Sequence, residues 1–369
     1  MISKALLVGA YQRKLEEMAA LPDVELTALA PPSWRDESGE LKLERAHLRG
    51  YRLAVSPLAF NGNYHLHFYP GLKRWMKETR PELVHIDEEP YNLATFHALR
   101  LGRRAGAKTL FFSWQNLERR YPFPFNCMER YVLRKADYAL MGNQASLEVW
   151  RAKGYTGPAR VIPQFGVDPD IFSLAKRHPN DGRGLVVGYA GRLVPEKGVD
   201  LLLRAVWQMP GQARLSIAGD GPERENLERL ANELGLRSQV TFESQLPSTR
   251  MAGFYQTLDV LVLPSRSLPN WQEQFGRVLI EAMACGVPVV GSDCGEMPRV
   301  IGDAGLIFPE NDVEALAAHL DCLQRDPEMR AGLAERGRAR VLANYTQARI
   351  AAETVEVYRE MLSSRGRET

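Results

Sequence analysis

Apolar, β-branched runs of strand length alternate with longer helix-patterned stretches along almost all of the 369 residues. This alternation predicts βαβ units and a parallel sheet, and hence an α/β fold. The predicted strands are Ala5–Val8, Glu25–Ala30, Arg52–Ser56, Leu83–Ile86, Thr109–Trp114, Tyr138–Met141, Arg160–Pro163, Leu185–Tyr189, Ala213–Ala218, Val240–Glu243, Val260–Pro264, Val287–Gly291 and Gly305–Phe308.

The alternation lapses once, at residues 164–184, where a polar, glycine-rich stretch is typical of a linker. A chain of this length is expected to form two domains, each with its own core. We therefore predict two doubly wound domains, with ligands in the cleft between the carboxyl ends of their strands. The predicted segments are a first domain at 1–165, a linker at 166–184, a second domain at 185–345 and a C-terminal helix at 346–369.

Composition excludes several other classes of protein. A 45% hydrophobic share with a net charge of +2 excludes a mainly disordered chain and gives little support to nucleic-acid binding. No apolar run approaches the ~18–20 residues of a membrane span. The first residues, Met1 to Gly9, are expected to be a first strand and not a signal peptide. The four cysteines lack disulfide or zinc spacing, which fits a reducing cytosol.

The strongest functional pattern is a pair of glutamates, Glu273 and Glu281, around the start of a predicted helix. Free backbone N–H groups and the positive end of the helix dipole at 275–276 suit a phosphate. A carboxylate before the helix can accept hydrogen bonds from sugar hydroxyls, and Glu281 from both hydroxyls of a ribose. Taken alone, the pair is better explained by a helix with one glutamate near its start and another on a solvated face. The Gly-Val-Pro segment that follows and the loops described next reverse that preference.

Two further loops follow predicted strands. Arg192 and Lys197 lie on a loop that opens a helix, where a guanidinium and an ammonium suit a diphosphate. The alternative is two solvated loop cations. Gly219, in the sequence Gly-Asp-Gly-Pro, permits the close approach of a ligand or a tight turn.

Together these loops, with Glu-Ala-Met-Ala-Cys-Gly-Val-Pro-Val-Val at 281–290, resemble the retaining family-4 glycosyltransferases, or group 1 glycosyl transferases, which have the GT-B fold. The resemblance covers nearly all of the second half, whereas the first half matches in strand–helix order and in the 166–172 segment. It implies two Rossmann-like domains facing across a cleft, with the last helix crossing back to the first domain. The roles it implies are catalysis by Glu273, Arg192 and Lys197, and donor binding by these three with Gly9, Gly219, Leu246, Gln274, Phe275, Gly276 and Glu281.

The first half departs from the family at two positions. Many members carry Gly-Gly where this chain has Gly9-Ala10, and a His after the strand that ends here at Trp114. No catalytic His is carried over. The acidic loop after Leu83–Ile86 either contacts the acceptor or caps a helix. The candidate acceptor residues are Asp87, Glu88, Glu89, Ser113, Trp114 and Asn116.

The function implied is transfer of a hexosyl group from a nucleotide-diphosphate sugar, UDP- or GDP-linked, to a hydroxyl acceptor. A glycan or lipid-linked acceptor in cell-surface polysaccharide or glycolipid synthesis is expected. The alternatives are a nucleotide-sugar epimerase or hydrolase of the same fold, and a non-catalytic nucleotide-sugar-binding subunit. A dinucleotide dehydrogenase is disfavoured because no Gly-x-Gly-x-x-Gly follows the first predicted strand. No metal or cofactor is expected, and Asp168-Pro-Asp170 is interpreted as a turn.

Two segments, 64–75 and 119–125, interleave aromatic residues with cations. They either pack within the first domain or lie on a membrane interface. The first half is also the more basic, with 24 Lys+Arg against 19 Asp+Glu over residues 1–170. The chain is therefore expected in the cytoplasm, with the inner face of the membrane as one possible site.

Overall fold

The computed structural model describes residues 1–36, 39–174, 184–209 and 213–363. These residues form two compact units. Unit 1 contains residues 1–166 and the segment from Gln347 onward, and unit 2 contains residues 167–346. Each unit has its own parallel sheet, so the predicted α/β fold with two Rossmann-like domains is confirmed.

The strands of unit 1 form one parallel sheet and a separate antiparallel hairpin. Along the sheet the order is β4, β1, residues 1–3, β5, β6, β7 and β8. The strands are β1 (Thr27–Ala30), β2 (Ser33–Asp36), β3 (Gly39–Lys42), β4 (Arg52–Val55), β5 (Leu83–Ile86), β6 (Lys108–Ser113), β7 (Tyr138–Met141) and β8 (Ala159–Val161).

The prediction of a first strand at Ala5–Val8 is wrong. Ile2 alone bridges β1 and β5, while Ala5–Leu7 and Gly9–Gln12 form two 3-10 turns. Leu6 and Leu7 are still buried. A short apolar run has the same composition in a buried strand and in a buried turn, so periodicity does not distinguish them.

The hairpin of β2 and β3 is an element that the sequence pattern did not predict. Its register pairs Trp34 with Leu41, and Trp34 is buried whereas Leu41 is exposed. Such a short, mostly exposed ribbon carries no long apolar alternation. The helices of unit 1 before residue 166 are α1 (Arg13–Ala19), α2 (Leu72–Thr79), α3 (Leu93–Arg104), α4 (Phe125–Lys135) and α5 (Gln144–Ala152).

Unit 2 contains a six-stranded parallel sheet in the order β11, β10, β9, β12, β13 and β14. Its central strands are buried on both faces and therefore appear in the sequence as continuous apolar runs. The strands are β9 (Leu185–Ala190), β10 (Ala213–Ala218), β11 (Val240–Glu243), β12 (Val260–Leu263), β13 (Val289–Ser292) and β14 (Leu306–Phe308).

The helices of unit 2 connect these strands and extend beyond the last one. They are α6 (Val199–Gln208), α7 (Arg224–Glu233), α8 (Ser248–Gln256), α9 (Arg277–Ala284), α10 (Met297–Ile301), α11 (Val313–Arg325) and α12 (Pro327–Asn344).

The predicted C-terminal helix at 346–369 is α13 (Gln347–Ser363), which follows α12. Tyr345 forms a bend between the two helices, and Thr346 bridges to Val167, whose N–H donates to the Tyr345 carbonyl at 2.9 Å. Ala351 and Val355 of α13 then pack in a common cluster with Leu15 and Met18 of α1. Residues 364–369 of the prediction lie outside the described residues.

The predicted linker at 166–184 is described as far as residue 174. In this part Phe172 is buried, and its ring lies 6.2 Å from that of Tyr255. The Oδ1 atom of Asp168 accepts the N–H of Asp170 at 3.0 Å, in agreement with the predicted turn. Residues 175–183 of the linker lie outside the described residues.

None of the helices within the described ranges combines the length and apolar character that crossing a bilayer requires.

Gly219 is a position at which the fold of unit 2 needs glycine. A Cβ atom there would lie 1.9 Å from the carbonyl oxygen of Gly191. We predict that Gly219→Ala lowers the free energy of unfolding by about 1–3 kcal/mol, because the loops after β9 and β10 must separate. Urea unfolding measures the change.

Gly253 on α8 is the matched control, because a Cβ atom there meets open space. Gly253→Ala should raise the stability by roughly 0.5–1 kcal/mol through helix propensity. Equal effects of the two substitutions would contradict the packing argument.

Candidate active site

The strand order of unit 2 fixes where its loops meet. β9 has β10 on one side and β12 on the other, so the chain reverses its direction of winding between these neighbours. Doubly wound sheets bind ligands at this switch point, outside the carboxyl ends of the strands. Residues 191–198 leave β9 there, and residues 264–276 leave β12.

The two loops join through an ion pair between predicted site residues. The Nζ atom of Lys197 lies 2.5 Å from Oε2 of Glu273. The Ser265 hydroxyl donates to the same oxygen at 3.3 Å. Glu273 is 8% exposed, so its charge is balanced by a close cation and not by bulk water.

The loop after β10 is bonded to the loop after β9. The backbone N–H of Leu193 donates to the Asp220 carbonyl at 2.9 Å, and Gly219 packs on Gly191. The Tyr189 hydroxyl donates to the carbonyl of Arg192 at 2.8 Å, while the Arg192 side chain is exposed. Burial raises the pKa of Tyr189, and the carboxylate of Glu273 raises it further.

The backbone between Glu273 and α9 is closely supported. Gly276 immediately precedes α9 with a φ of +74°, a conformation that favours glycine. Phe275 is buried against Tyr345, with ring centroids 5.7 Å apart, whereas Gln274 is exposed. The N–H of Glu296 donates to the Glu273 carbonyl at 3.1 Å.

Glu281 lies in the second turn of α9 and is 5% exposed. Its Oε2 atom accepts the hydroxyl of Tyr255 at 2.7 Å, and Nε of Arg277 lies 2.7 Å from Oε1. Both carboxylate oxygens therefore have partners within unit 2. The i,i+4 spacing indicates Arg277, but Tyr255 lies on α8 and no sequence pattern links it to Glu281.

Leu246 follows β11, which pairs with β10. It is partly buried. The loops with Leu246, Gly219, Arg192, Lys197 and Glu273 thus all leave the carboxyl edge of one parallel sheet.

In unit 1 the acidic loop Asp87, Glu88 and Glu89 follows β5. Asp87 accepts hydrogen bonds from the Ser3 hydroxyl at 2.5 Å and the Gln164 amide at 2.8 Å. Burial raises the pKa of Asp87, and Lys14 and these hydrogen bonds oppose the rise.

Glu88 has a different set of partners. It lies 3.7 Å from Nζ of Lys4 and 3.5 Å from Nε2 of His67. Burial acts to raise the pKa of Glu88, but Lys4 and His67 outweigh burial and hold it below the ordinary value.

Glu89 joins the acidic loop to β6. Its two carboxylate oxygens accept the Ser113 hydroxyl at 2.6 Å and the Trp114 backbone N–H at 2.8 Å. Burial raises the pKa of Glu89 to about 7, against the effect of these two hydrogen bonds. The hydroxyl of Ser113 also accepts the indole N–H of Trp150 at 2.7 Å.

These contacts do not support the alternative that the acidic loop caps a helix. α3 begins at Leu93 after Asn92, with no side-chain cap, and the three carboxylates bond elsewhere. The structure brings Glu89, Ser113 and Trp114 together, and Gln164 links Trp114 to Asp87 at 2.8 Å through each of its amide atoms. Asn116 is partly buried three residues beyond Ser113.

Gly9 was predicted to let a donor phosphate approach closely. In the structure its N–H donates to Oε2 of Glu44 at 2.6 Å, and a Cβ atom at Gly9 would lie 2.8 Å from that oxygen. The group that approaches Gly9 closely is therefore Glu44 of the same unit. Glu44 is 35 residues away, and no local pattern indicates the contact.

The aromatic residues of the two mixed segments pack on one another. The His65 ring lies 5.7 Å from Tyr121 and 5.0 Å from Phe125, and Tyr121 stacks on Tyr91 at 4.0 Å. For His65, Tyr121 and Phe125, these contacts favour internal packing over a position on a membrane interface. Phe123, by contrast, is 79% exposed. His85 of β5 is buried, and its Nδ1 lies 2.6 Å from the Tyr358 hydroxyl.

Two family models match the chain. Residues 170–340 match the model for glycosyl transferases group 1, and residues 8–164 match the model for the glycosyl transferase 4-like domain. The chain is 33% identical over 270 residues to a GDP-mannose-dependent alpha-(1-6)-phosphatidylinositol monomannoside mannosyltransferase of Mycolicibacterium smegmatis, covering 66% of this chain and 68% of that protein. It is 29% identical over 248 residues to an alpha-D-kanosaminyltransferase of Streptomyces kanamyceticus, covering 63% of each.

Solved structures share the fold over nearly the whole chain. Sucrose-phosphate synthase from Thermosynechococcus elongatus superposes with a TM-score of 0.71 at 23% identity, covering 96% of this chain and 93% of that one. Anabaena HepE in complex with UDP superposes with a TM-score of 0.72 at 19% identity, covering 97% of this chain and 98% of that one.

The raised pKa of Glu89 gives a pH dependence of stability. In the unfolded chain this carboxyl ionises near its ordinary value of 4.5, and in the folded protein near 7. The folded state therefore holds the extra proton, and Glu89 loses its stabilising contribution as the pH rises from about 4.5 to 7. We predict that the melting temperature of Glu89→Gln, relative to that of the wild type, is higher at pH 8 than at pH 5.

Glu82→Gln is the control for this measurement, because Glu82 is exposed in the same unit. Its difference from the wild type should not change over that range. A difference between Glu89→Gln and the wild type that is equally independent of pH would contradict the prediction.

Proposed function

The chain belongs to the group 1 glycosyl transferases, and on that premise we propose that it moves a hexosyl group from a nucleotide-diphosphate sugar to an acceptor hydroxyl with anomeric retention. The bond from the anomeric carbon to the phosphate oxygen breaks, and a bond to the acceptor oxygen forms. A nucleoside diphosphate and the hydroxyl proton are released. The contact of Lys197 with Glu273 at the switch point is the observation that carries the proposal.

Departure of the diphosphate is the step that the cations of unit 2 assist. Negative charge builds on the phosphate oxygens as the bond breaks, and preorganised cations stabilise such charge. Lys197 supplies an ammonium held in place by Glu273, and Arg192 supplies an exposed guanidinium on the same loop. With these cations and the N-terminus of α9, the proposal requires no metal ion.

The two glutamates have separate roles in donor binding. Glu273 accepts hydrogen bonds from the hydroxyls of the transferred sugar, next to the cation that meets the diphosphate. Glu281 accepts the ribose hydroxyls, and its hydrogen bond from Tyr255 holds the carboxylate in a fixed orientation. Gly219 holds the loop after β10 against the loop after β9, next to the cations that meet the donor, and Leu246 lies toward the base.

The names of two related proteins support the choice of donor class. One relative is named as GDP-mannose-dependent, and one structural neighbour was solved with UDP. We therefore propose a UDP- or GDP-linked hexose as the donor.

The acceptor side is assigned to unit 1. Glu89 has a pKa near 7, which suits a group that exchanges a proton with a hydroxyl. A glycan or lipid-linked acceptor in cell-surface polysaccharide or glycolipid synthesis is proposed, with the enzyme at the cytoplasmic face of the membrane. The exposed Phe123, close in sequence to Arg119 and Arg120, supports the membrane contact.

A thermal-shift panel of UDP, GDP, ADP and dTDP tests the donor site. Binding to the native state raises the melting temperature by mass action. We predict a selective rise with UDP or GDP, which Glu281→Gln reduces by weakening the ribose contact. Glu233→Gln, an exposed glutamate of α7, is the control and should keep the full rise.

Turnover of the matching nucleotide sugar then separates transfer from its alternatives. Release of nucleoside diphosphate that depends on an added acceptor supports the transferase. Release without an acceptor indicates a donor hydrolase. No shift with any nucleotide and no turnover would contradict the proposal.

A further inference from the structure

The loop after β12 carries an aromatic residue, Trp271, to which the donor-site assignment gives no role. It lies two residues before Glu273 and is partly buried. Trp271 and Leu268 exchange two backbone hydrogen bonds, of 2.8 and 3.1 Å. The indole therefore projects from a tight turn and not from a free loop.

The face of this indole contacts the cation of the site. Nζ of Lys197 lies 4.8 Å from the Trp271 ring centroid, within the ~6 Å range of cation–π attraction. The same Nζ lies 2.5 Å from Oε2 of Glu273. The ammonium is thus held between an aromatic face and a carboxylate.

The backbone keeps the loops of Lys197 and Trp271 together. The N–H of Arg266 donates to the carbonyl of Glu196 at 2.8 Å, and the Arg266 guanidinium pairs with Asp200. A Cβ atom at Gly198 would lie 2.1 Å from the Pro264 carbonyl oxygen, so the loops touch at a residue without a side chain. These backbone contacts therefore hold the loop of Trp271 against the loop of Lys197.

A lysine at this point needs such support. Its ammonium sits on a flexible four-carbon stem, which loses considerable rotamer entropy when it is fixed. When a diphosphate arrives, it competes with Glu273 for the ammonium. The indole face is a neutral partner that keeps Nζ at the loop junction through this exchange.

Building on the proposed function, we infer that Trp271 is a positioning residue, which acts through Lys197 to hold the ammonium where the donor diphosphate departs. The chemical step then depends on the aromatic face at position 271, although Trp271 does not take part in bond making. Loss of the face should lower kcat more than it raises KM, because the interaction with Lys197 matters most as charge builds on the diphosphate.

The test is a double-mutant cycle in the full chain, with UDP-glucose and GDP-mannose as donor probes. Trp271→Ala should lower kcat/KM about tenfold in the wild-type background and less than about twofold in Lys197→Ala, because the indole then has no ammonium to position. Trp271→Phe keeps an aromatic face and should restore most of the activity. The melting temperature of each variant shows whether it is folded.

Trp207→Ala is the matched control, since Trp207 is an exposed tryptophan of α6 in the same unit. It should leave kcat/KM unchanged. Equal losses from Trp271→Ala in both backgrounds, or no gain from Trp271→Phe over Trp271→Ala, would overturn the inference and leave the proposed function standing. Wild-type protein that neither binds UDP or GDP nor turns over either donor would overturn the proposed function, and this inference with it.

Discussion

The contact between Lys197 and Glu273 is possible because β9 and β12 are neighbours in a parallel sheet. About seventy residues separate the two strands in the chain, and the intervening strands extend the sheet on the other side of β9. The loops at their carboxyl ends therefore start side by side. One brings a cation and the other a carboxylate, and the proposed donor chemistry of unit 2 depends on that junction.

Unit 1 uses carboxylates in another way. Glu273 in unit 2 is paired with an ammonium, whereas Glu89 in unit 1 is bonded by the neutral donors Ser113 and Trp114. Burial with neutral partners raises the pKa of Glu89 to about 7, into the range where a carboxyl exchanges protons at physiological pH. Unit 2 thus provides a carboxylate paired with an ammonium, and unit 1 provides a carboxyl that exchanges its proton near neutral pH.

Much of unit 2 could be predicted from the sequence, because buried parallel strands are continuous apolar runs and their loops carry the motifs. The predicted strand Ala213–Ala218 matches β10 residue for residue. The contacts that were missed join residues distant in sequence: Tyr255 on Glu281, Trp271 on Lys197, and Glu44 on Gly9. No local periodicity or spacing encodes such pairs.

The most direct test of the donor site is a crystal structure of the protein with UDP or GDP bound. We predict diphosphate oxygens within hydrogen-bond distance of Lys197 Nζ and the Arg192 guanidinium, and ribose hydroxyls within hydrogen-bond distance of Glu281. A nucleotide bound to unit 1 alone, or on unit 2 away from Lys197, would contradict the assignment of the donor site to the loops after β9 and β12.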